Sequence, residues 1–183
     1  MGLVAFAYAI FSRLAYVLVV GFRLRREDRD ARYTRALGSS EAFRRFRRIA
    51  ALVMNNDAIA FILLCVLTRN TLALPVSSAV SVIAGATLCI VGLGTKLWAA
   101  RTLGGKAYYW YNFFEPENAR GPVTSGPYRY VDDPMYTIGY LQTYGLALIT
   151  RSLPGLIAAA FFQTAILVFH RLVEKPHFER LHR

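Results

Sequence analysis

Cysteine is nearly absent from this chain and acidic residues are scarce. Only two cysteines occur in 183 residues. Cys65 and Cys89 each lie inside an apolar stretch with no second cysteine close by, so neither a disulfide framework nor a zinc finger can be read. Asp and Glu number 11 against 22 Lys and Arg, a formal charge of +11. That balance alone would suit nucleic acid, but the positive charges fall between apolar runs, so no nucleic-acid partner is expected. There is no internal repeat and no low-complexity tract. The chain lacks a basic segment ahead of its first apolar run and a clean small-residue cleavage site after it, so that run is expected to be retained. Phe6 stands where a myristoylation signal needs serine or threonine.

What is abundant is apolar surface: 55% of residues are hydrophobic and the mean hydropathy is +0.34. A secreted disulfide scaffold, a disordered tail and a soluble nucleic-acid domain are excluded, which leaves an integral membrane protein. A helix needs about 20 apolar residues, at about 1.5 Å each, to cross a hydrocarbon core of about 30 Å. Five stretches approach that length. They are Leu3 to Phe22, interrupted by Ser12 and Arg13; Ile49 to Thr68, holding Asn55, Asn56 and Asp57; Pro75 to Gly94 or a turn beyond; Pro134 to Thr150; and Leu153 to Val173.

The expected fold is therefore all-α, an integral membrane bundle of about five transmembrane helices plus interfacial helices. It forms a single domain over residues 1–183. The first span occupies 1–22, a basic interfacial loop 23–48 and spans two and three 49–94. An aromatic loop follows over 95–133, then spans four and five over 134–173 and a tail over 174–183. Within the basic loop, Phe43, Phe46 and Ile49 recur at helical spacing, which suggests an amphipathic helix on the membrane surface.

Orientation follows from the basic residues. The 23–48 loop holds ten, the loop from Lys96 to Arg129 holds five including Arg120, and the tail holds four including Arg183. The opposite face has only Arg69 and Arg151. This places the loops and the C-terminus in the cytoplasm, with anionic lipid headgroups as an expected partner.

Two stretches attract chemistry. Residues 108–114 carry Tyr108, Tyr109, Trp110, Tyr111, Phe113 and Phe114. Such rings form either an interfacial belt or a wall for an onium group. The segment Gly126-Pro-Tyr-Arg-Tyr-Val-Asp-Asp-Pro-Met-Tyr136 is more specific, although Asp132 and Asp133 can also be read as a helix cap ahead of Pro134. Asn55, Asn56 and Asp57 lie in an apolar run, where ionisable groups are a functional signal unless the span is displaced. His170 and Glu174 share a helix face, with His177 three residues on. Pro176 and the lack of a dependable third ligand favour a hydrogen-bonded pair there over a metal site.

The 126–136 segment resembles the signature of the membrane methyltransferases that include phosphatidylethanolamine N-methyltransferases and isoprenylcysteine carboxyl methyltransferases. The carboxyl methyltransferases and the related sterol reductases usually carry Arg-His before the proline. Asp132-Asp133-Pro134-Met135-Tyr136 with Gly139 is similar instead to the phospholipid N-methyltransferases. Gly92-Leu93-Gly94 sits where the family places a Gly-x-Gly associated with S-adenosylmethionine, although such glycines also serve helix packing. Glu174-Lys175-Pro176 sits where the family has a tandem acidic pair, and Lys175 departs from it. The resemblance covers residues 91–183.

The resemblance implies S-adenosylmethionine-dependent N-methylation of phosphatidylethanolamine or its mono- and dimethylated forms. Its implied cofactor-binding residues are Gly92, Gly94, Tyr128, Arg129, Asp132, Pro134 and Glu174. Acids would meet the cofactor's ammonium and Arg129 its carboxylate. Glu174, Tyr136 and Asp133 are the catalytic candidates, a carboxylate as base or Tyr136 as the group that positions the amine. Lipid would enter sideways from the bilayer and the cofactor from the cytoplasmic face. Methylation of a prenylcysteine carboxylate or an isoprenoid lipid remains an alternative, as do a nicotinamide-dependent reductase and a non-catalytic scaffold. The short arginine-rich loops favour a bacterial inner membrane.

Overall fold

The computed structural model describes residues 1–118 and 123–181. Arg120 and Arg183, counted among the basic residues above, lie outside the described residues. Helices α1 (Gly2–Asp30), α2 (Arg32–Leu37), α3 (Ser39–Leu67) and α4 (Ser78–Leu103) come first. A run of short 3-10 turns follows, and the turn Ile138–Tyr140 leads into α5 (Leu141–Ile149). Helix α6 (Leu153–Phe169) continues through a π-helical turn, His170–Glu174, into α7 (Lys175–Leu181).

Four helical stretches are long and apolar enough to cross a membrane: Gly2–Asp30, Ser39–Leu67, Ser78–Leu103 and Leu153–Leu181. Their outward faces carry Leu3, Val4, Leu52, Ile83 and Ile90, each about two-thirds exposed or more. In water that surface would be a liability, and in lipid it is solvated. The protein is an integral membrane protein built as an all-α bundle.

The span expected at Pro134 to Thr150 is corrected by the structure. Its continuous helix is Ile138–Ile149, about 18 Å long, well short of the hydrocarbon thickness. Residues 134–137 form a turn instead, with the Asp133 carbonyl accepting from Tyr136 N, Thr137 N and Thr137 Oγ1 and the Pro134 carbonyl from Gly139 N. No Asp side chain caps a helix here; the expected cap is absent because the helix starts later. Non-helical backbone is tolerated at membrane depth only where protein covers it, and Pro134, Gly139 and Tyr140 are buried.

Small residues let α5 lie against α4. A Cβ on Gly145 would meet Cys89 N at 2.7 Å, and one on Gly85 would meet Ile149 Cγ1 at 2.8 Å. Ser81 Oγ donates to the Leu148 carbonyl at 2.8 Å. At the end of the bundle that holds Arg69 and Arg151, Asn70 N bonds Thr150 O, Leu72 N bonds Arg151 O, and Thr68 and Ser152 hydroxyls share a 2.6 Å hydrogen bond.

The expected interfacial loop over 23–48 is also helical for most of its length. Helix α1 runs on to Asp30, Ala31 takes a left-handed conformation, and the buried Glu27 carboxylate accepts from Tyr33 N and Thr34 N to cap α2. Phe43 and Phe46 belong to the first turns of α3, where they are buried rather than spread on a membrane surface. Lys96, counted above as a loop cation, lies within α4 with its ammonium 5.5 Å from the Tyr140 ring centroid.

Candidate active site

The 108–114 aromatics close the basic end of the bundle. Trp110, Phe113 and Phe114 are buried. Phe114 meets Phe46 at 5.1 Å, and Trp110 stands edge-on to Phe169 at 5.7 Å. These three rings are core, neither a belt nor an onium wall, because they belong to the buried cluster in which Trp110 and Phe114 pack on Phe46 and Trp110 on Phe169. Trp110 has a left-handed backbone, φ 56°, which turns its indole inward.

The indole reaches Glu174. Trp110 Nε1 donates to Glu174 Oε1 at 2.5 Å and Tyr136 OH donates to the same oxygen at 2.7 Å. His170 Nδ1 bonds Glu174 Oε2 at 2.6 Å, and His170 Nε2 lies 3.2 Å from Asp133 Oδ2. Glu174 is only 5% exposed. A buried carboxylate is tolerable only with such a donor set. The π turn widens the helix where His170 and Glu174 must both face the turn at 133–136, as π-bulges often do at functional sites.

The titratable groups of the 126–136 segment that face this carboxylate are pushed toward their neutral forms. Burial pushes the Tyr136 phenol well up, and the Glu174 carboxylate adds to the shift, so Tyr136 stays protonated. Tyr128 is raised first by burial and then by Asp133 and Glu174. Asp133 is raised by burial, opposed by His170 and reinforced by Glu174 and Asp132. An acid shifted upward is a better proton acceptor than an ordinary carboxylate.

The expected site residues thus divide. Asp133, Tyr136 and Glu174 converge with His170. Asp132, beside Asp133, and Arg129 are exposed, and Asp132 makes no hydrogen bond or ion pair with the described residues. Gly94 has open space where a Cβ would stand. Gly92 does not: a Cβ there would meet the backbone of Gln142, so helix packing occupies it and no cofactor can approach. Pro134 is fully buried and shapes the turn rather than offering a contact surface. Gly126 is needed at φ 60°, where a Cβ would lie 2.6 Å from Thr102 Oγ1.

Two partners escaped the sequence. Trp110 is 64 residues from Glu174, and no periodicity links them. Asp57 is paired: its Oδ2 lies 2.6 Å from Arg13 NH2, with both side chains 6% exposed. Arg13 NH1 donates to Tyr140 OH at 3.0 Å, and the guanidinium lies 4.1 Å from the Phe162 ring centroid. One arginine and one aspartate in neighbouring apolar runs, each costly alone, were the available signal. Beside them, Asn56 Nδ2 donates to Ser12 Oγ, and Asn56 Oδ1 accepts from Tyr8 OH. His177 turns away from Glu174, bonding Asp28 at 2.7 Å and stacking on Phe113 at 3.6 Å.

An all-α membrane bundle with a re-entrant turn delivering an acid and a tyrosine to a buried carboxylate has the build of a membrane-embedded enzyme. Residues 80–183 match the model of the phospholipid methyltransferase family. The chain belongs to that family, whose reaction requires a methyl donor. It is 30% identical over 145 residues to a phosphatidylethanolamine N-methyltransferase of Clavispora lusitaniae, covering 75% of this chain and 17% of that protein. To a protein of the same name from Saccharomyces cerevisiae it is 31% identical over 135 residues, covering 74% and 15%. The chain therefore spans about a sixth of the length of these curated relatives. No solved structure matches it.

Proposed function

We propose that the chain methylates the headgroup amine of phosphatidylethanolamine, or of its mono- and dimethylated forms, with S-adenosylmethionine as donor. The observation that carries this reading is the meeting of Asp133 and Tyr136, from the signature turn, with His170 and Glu174 in the π-helical turn that follows α6. The residues fit the donor in part. Asp132 offers an uncommitted carboxylate to its ammonium, Arg129 an exposed guanidinium to its carboxylate, and Gly94 a bare helix flank. Gly92 and Pro134 are left out of this set because both are enclosed. When bound, S-adenosylmethionine supplies a methyl on a sulfonium; the carbon–sulfur bond breaks as the carbon–nitrogen bond forms, and the amine gives up a proton.

Tyr136 is the group we assign to the amine. Its hydroxyl hydrogen is already committed to Glu174, so its oxygen lone pairs remain to accept from a headgroup N–H. Asp133, raised by burial, takes the proton. Glu174 acts through Tyr136 and His170 as a positioning residue, with three donors already on its two oxygens. The basic residues at the ends of α1, α4 and α7 argue for a cytoplasmic site by the positive-inside bias. The proposed bacterial inner membrane rests on the short arginine-rich connectors alone; the relatives named above are yeast proteins and lend it no support.

The test is transfer of labelled methyl from S-adenosylmethionine into lipid extracts by membranes with and without the protein. Label in methylated phosphatidylethanolamine species is expected. Folded protein with no label in any lipid would overturn the reading, and label in a protein or isoprenoid fraction would move the acceptor. In the same membranes, Gly94→Leu is expected to weaken donor binding at least tenfold, since its side chain would fill the open flank. A titration of the donor showing unchanged affinity would remove Gly94 from the site.

A further inference from the structure

We propose that a groove between the basic ends of α1 and α7 binds the phosphate of an anionic phospholipid headgroup. The groove encloses about 310 Å³, and neither Tyr136 nor Asp133 is among the residues that line it. Arg25, Arg29 and Arg180 line it together with Asp28. Its floor is apolar, formed by Leu172, Val173 and Pro176.

The charges do not cancel within the fold. Asp28 is already spent on His177 and Arg180, which hydrogen-bonds its second oxygen. Arg25 donates only to a backbone carbonyl, that of Leu172, at 3.2 Å. Arg29 makes neither hydrogen bond nor ion pair with any described residue. Two guanidiniums thus converge on a concave surface without a counter-anion. Guanidinium is weakly hydrated and forks onto phosphate oxygens in pairs, so a phosphate is the chemistry this groove recognises.

Depth selects a lipid as the source. Arg25 is 23 positions beyond Gly2 along α1, which is about 34 Å of helix rise against a hydrocarbon core of about 30 Å. Leu172 stands 19 positions beyond the start of α6, about 28 Å along it. The arginines therefore fall at the phosphate level of the basic-side leaflet. Directly on the hydrocarbon side, Leu172 is 55% and Phe22 57% exposed, a surface for acyl chains. A phosphate tethered to such chains satisfies both halves of the groove, and the anionic lipids favoured at a positively charged face supply it.

The experiment is a titration of the purified full-length chain in detergent micelles by native mass spectrometry, with phosphatidylglycerol, phosphatidylcholine and inorganic phosphate as probes. Phosphatidylglycerol is expected to bind more tightly than phosphatidylcholine and to resist millimolar inorganic phosphate. R25Q/R29Q should weaken phosphatidylglycerol binding about 30-fold, from about 1 kcal/mol for each arginine at a membrane surface. R47Q/R48Q removes the same charge from exposed positions on α3 and should change affinity less than twofold. Both altered side chains of the first variant are exposed, and R29Q alone, which breaks no bond, should still cost about fivefold. Equal losses in the two double variants would mean diffuse attraction and overturn the site. An unchanged affinity in R25Q/R29Q, no preference over phosphatidylcholine, or displacement by free phosphate would each overturn it as well.

Discussion

Asp57→Leu is expected to destabilise the bundle by about 3–5 kcal/mol, the cost of leaving a buried ion without its partner. The Arg13–Asp57 pair joins α1 to α3 at a distance of 2.6 Å, and the guanidinium is stacked over Phe162 of α6 and bonded to Tyr140 at the head of α5. Four elements therefore meet at one charge. Arg13→Met should cost less, because a stranded aspartate can neutralise itself by taking up a proton whereas a guanidinium cannot shed one. The double variant R13M/D57L should recover most of the loss, since apolar residues of similar volume replace a buried pair at little or no penalty. Unfolding in mixed micelles, followed by helical circular dichroism, measures all three. A double variant as unstable as Asp57→Leu alone would show that the pair is held for its hydrogen bonds to Tyr140 rather than for charge neutralisation.

That pair also shows where sequence reading stopped. Hydropathy alone located α1, α3, α4 and α6, because a span is a property of consecutive residues and needs no partner. The stretch from Pro134 was the shortest and most polar of the five, and its turn at 134–137 folds back on its own carbonyls, so that helix begins only at Ile138. Averaging over a window hides such a turn. His170 and Glu174, four apart on one helix, were legible as a bonded pair for the same local reason. The Trp110–Glu174 and Arg13–Asp57 contacts join residues 64 and 44 positions apart, and charge or hydrogen-bonding appetite names a need without naming who meets it. Gly92 and Gly94 are alike in sequence and opposite in the structure. Two residues along a helix is about 200° of rotation, so one glycine faces α5 and the other open space.

Glu174→Ala is expected to lower the methyl-transfer rate by about 10²–10⁴-fold, the range for losing an aligned acid–base arrangement. The substitution strands three donors at once: the Trp110 indole, the Tyr136 hydroxyl and His170. A drop in activity alone would therefore not separate chemistry from folding, since each unsatisfied buried group costs about 1–3 kcal/mol. Glu174→Gln separates them. Its amide oxygen still accepts from Trp110 and Tyr136, so the fold and much of the rate should survive, within about tenfold of the parent, if positioning is what Glu174 supplies. The sharper readout is coupling. If Glu174 acts through Tyr136, then Tyr136→Phe and Glu174→Ala remove the same aligned hydroxyl, and the double variant should be little slower than the worse single one. Fully multiplicative losses would separate the two roles and return Glu174 to direct contact with a substrate. The loss should also fall on kcat with KM for the lipid nearly unchanged, because an alignment gained only at the reacting amine contributes little to holding the rest of the lipid.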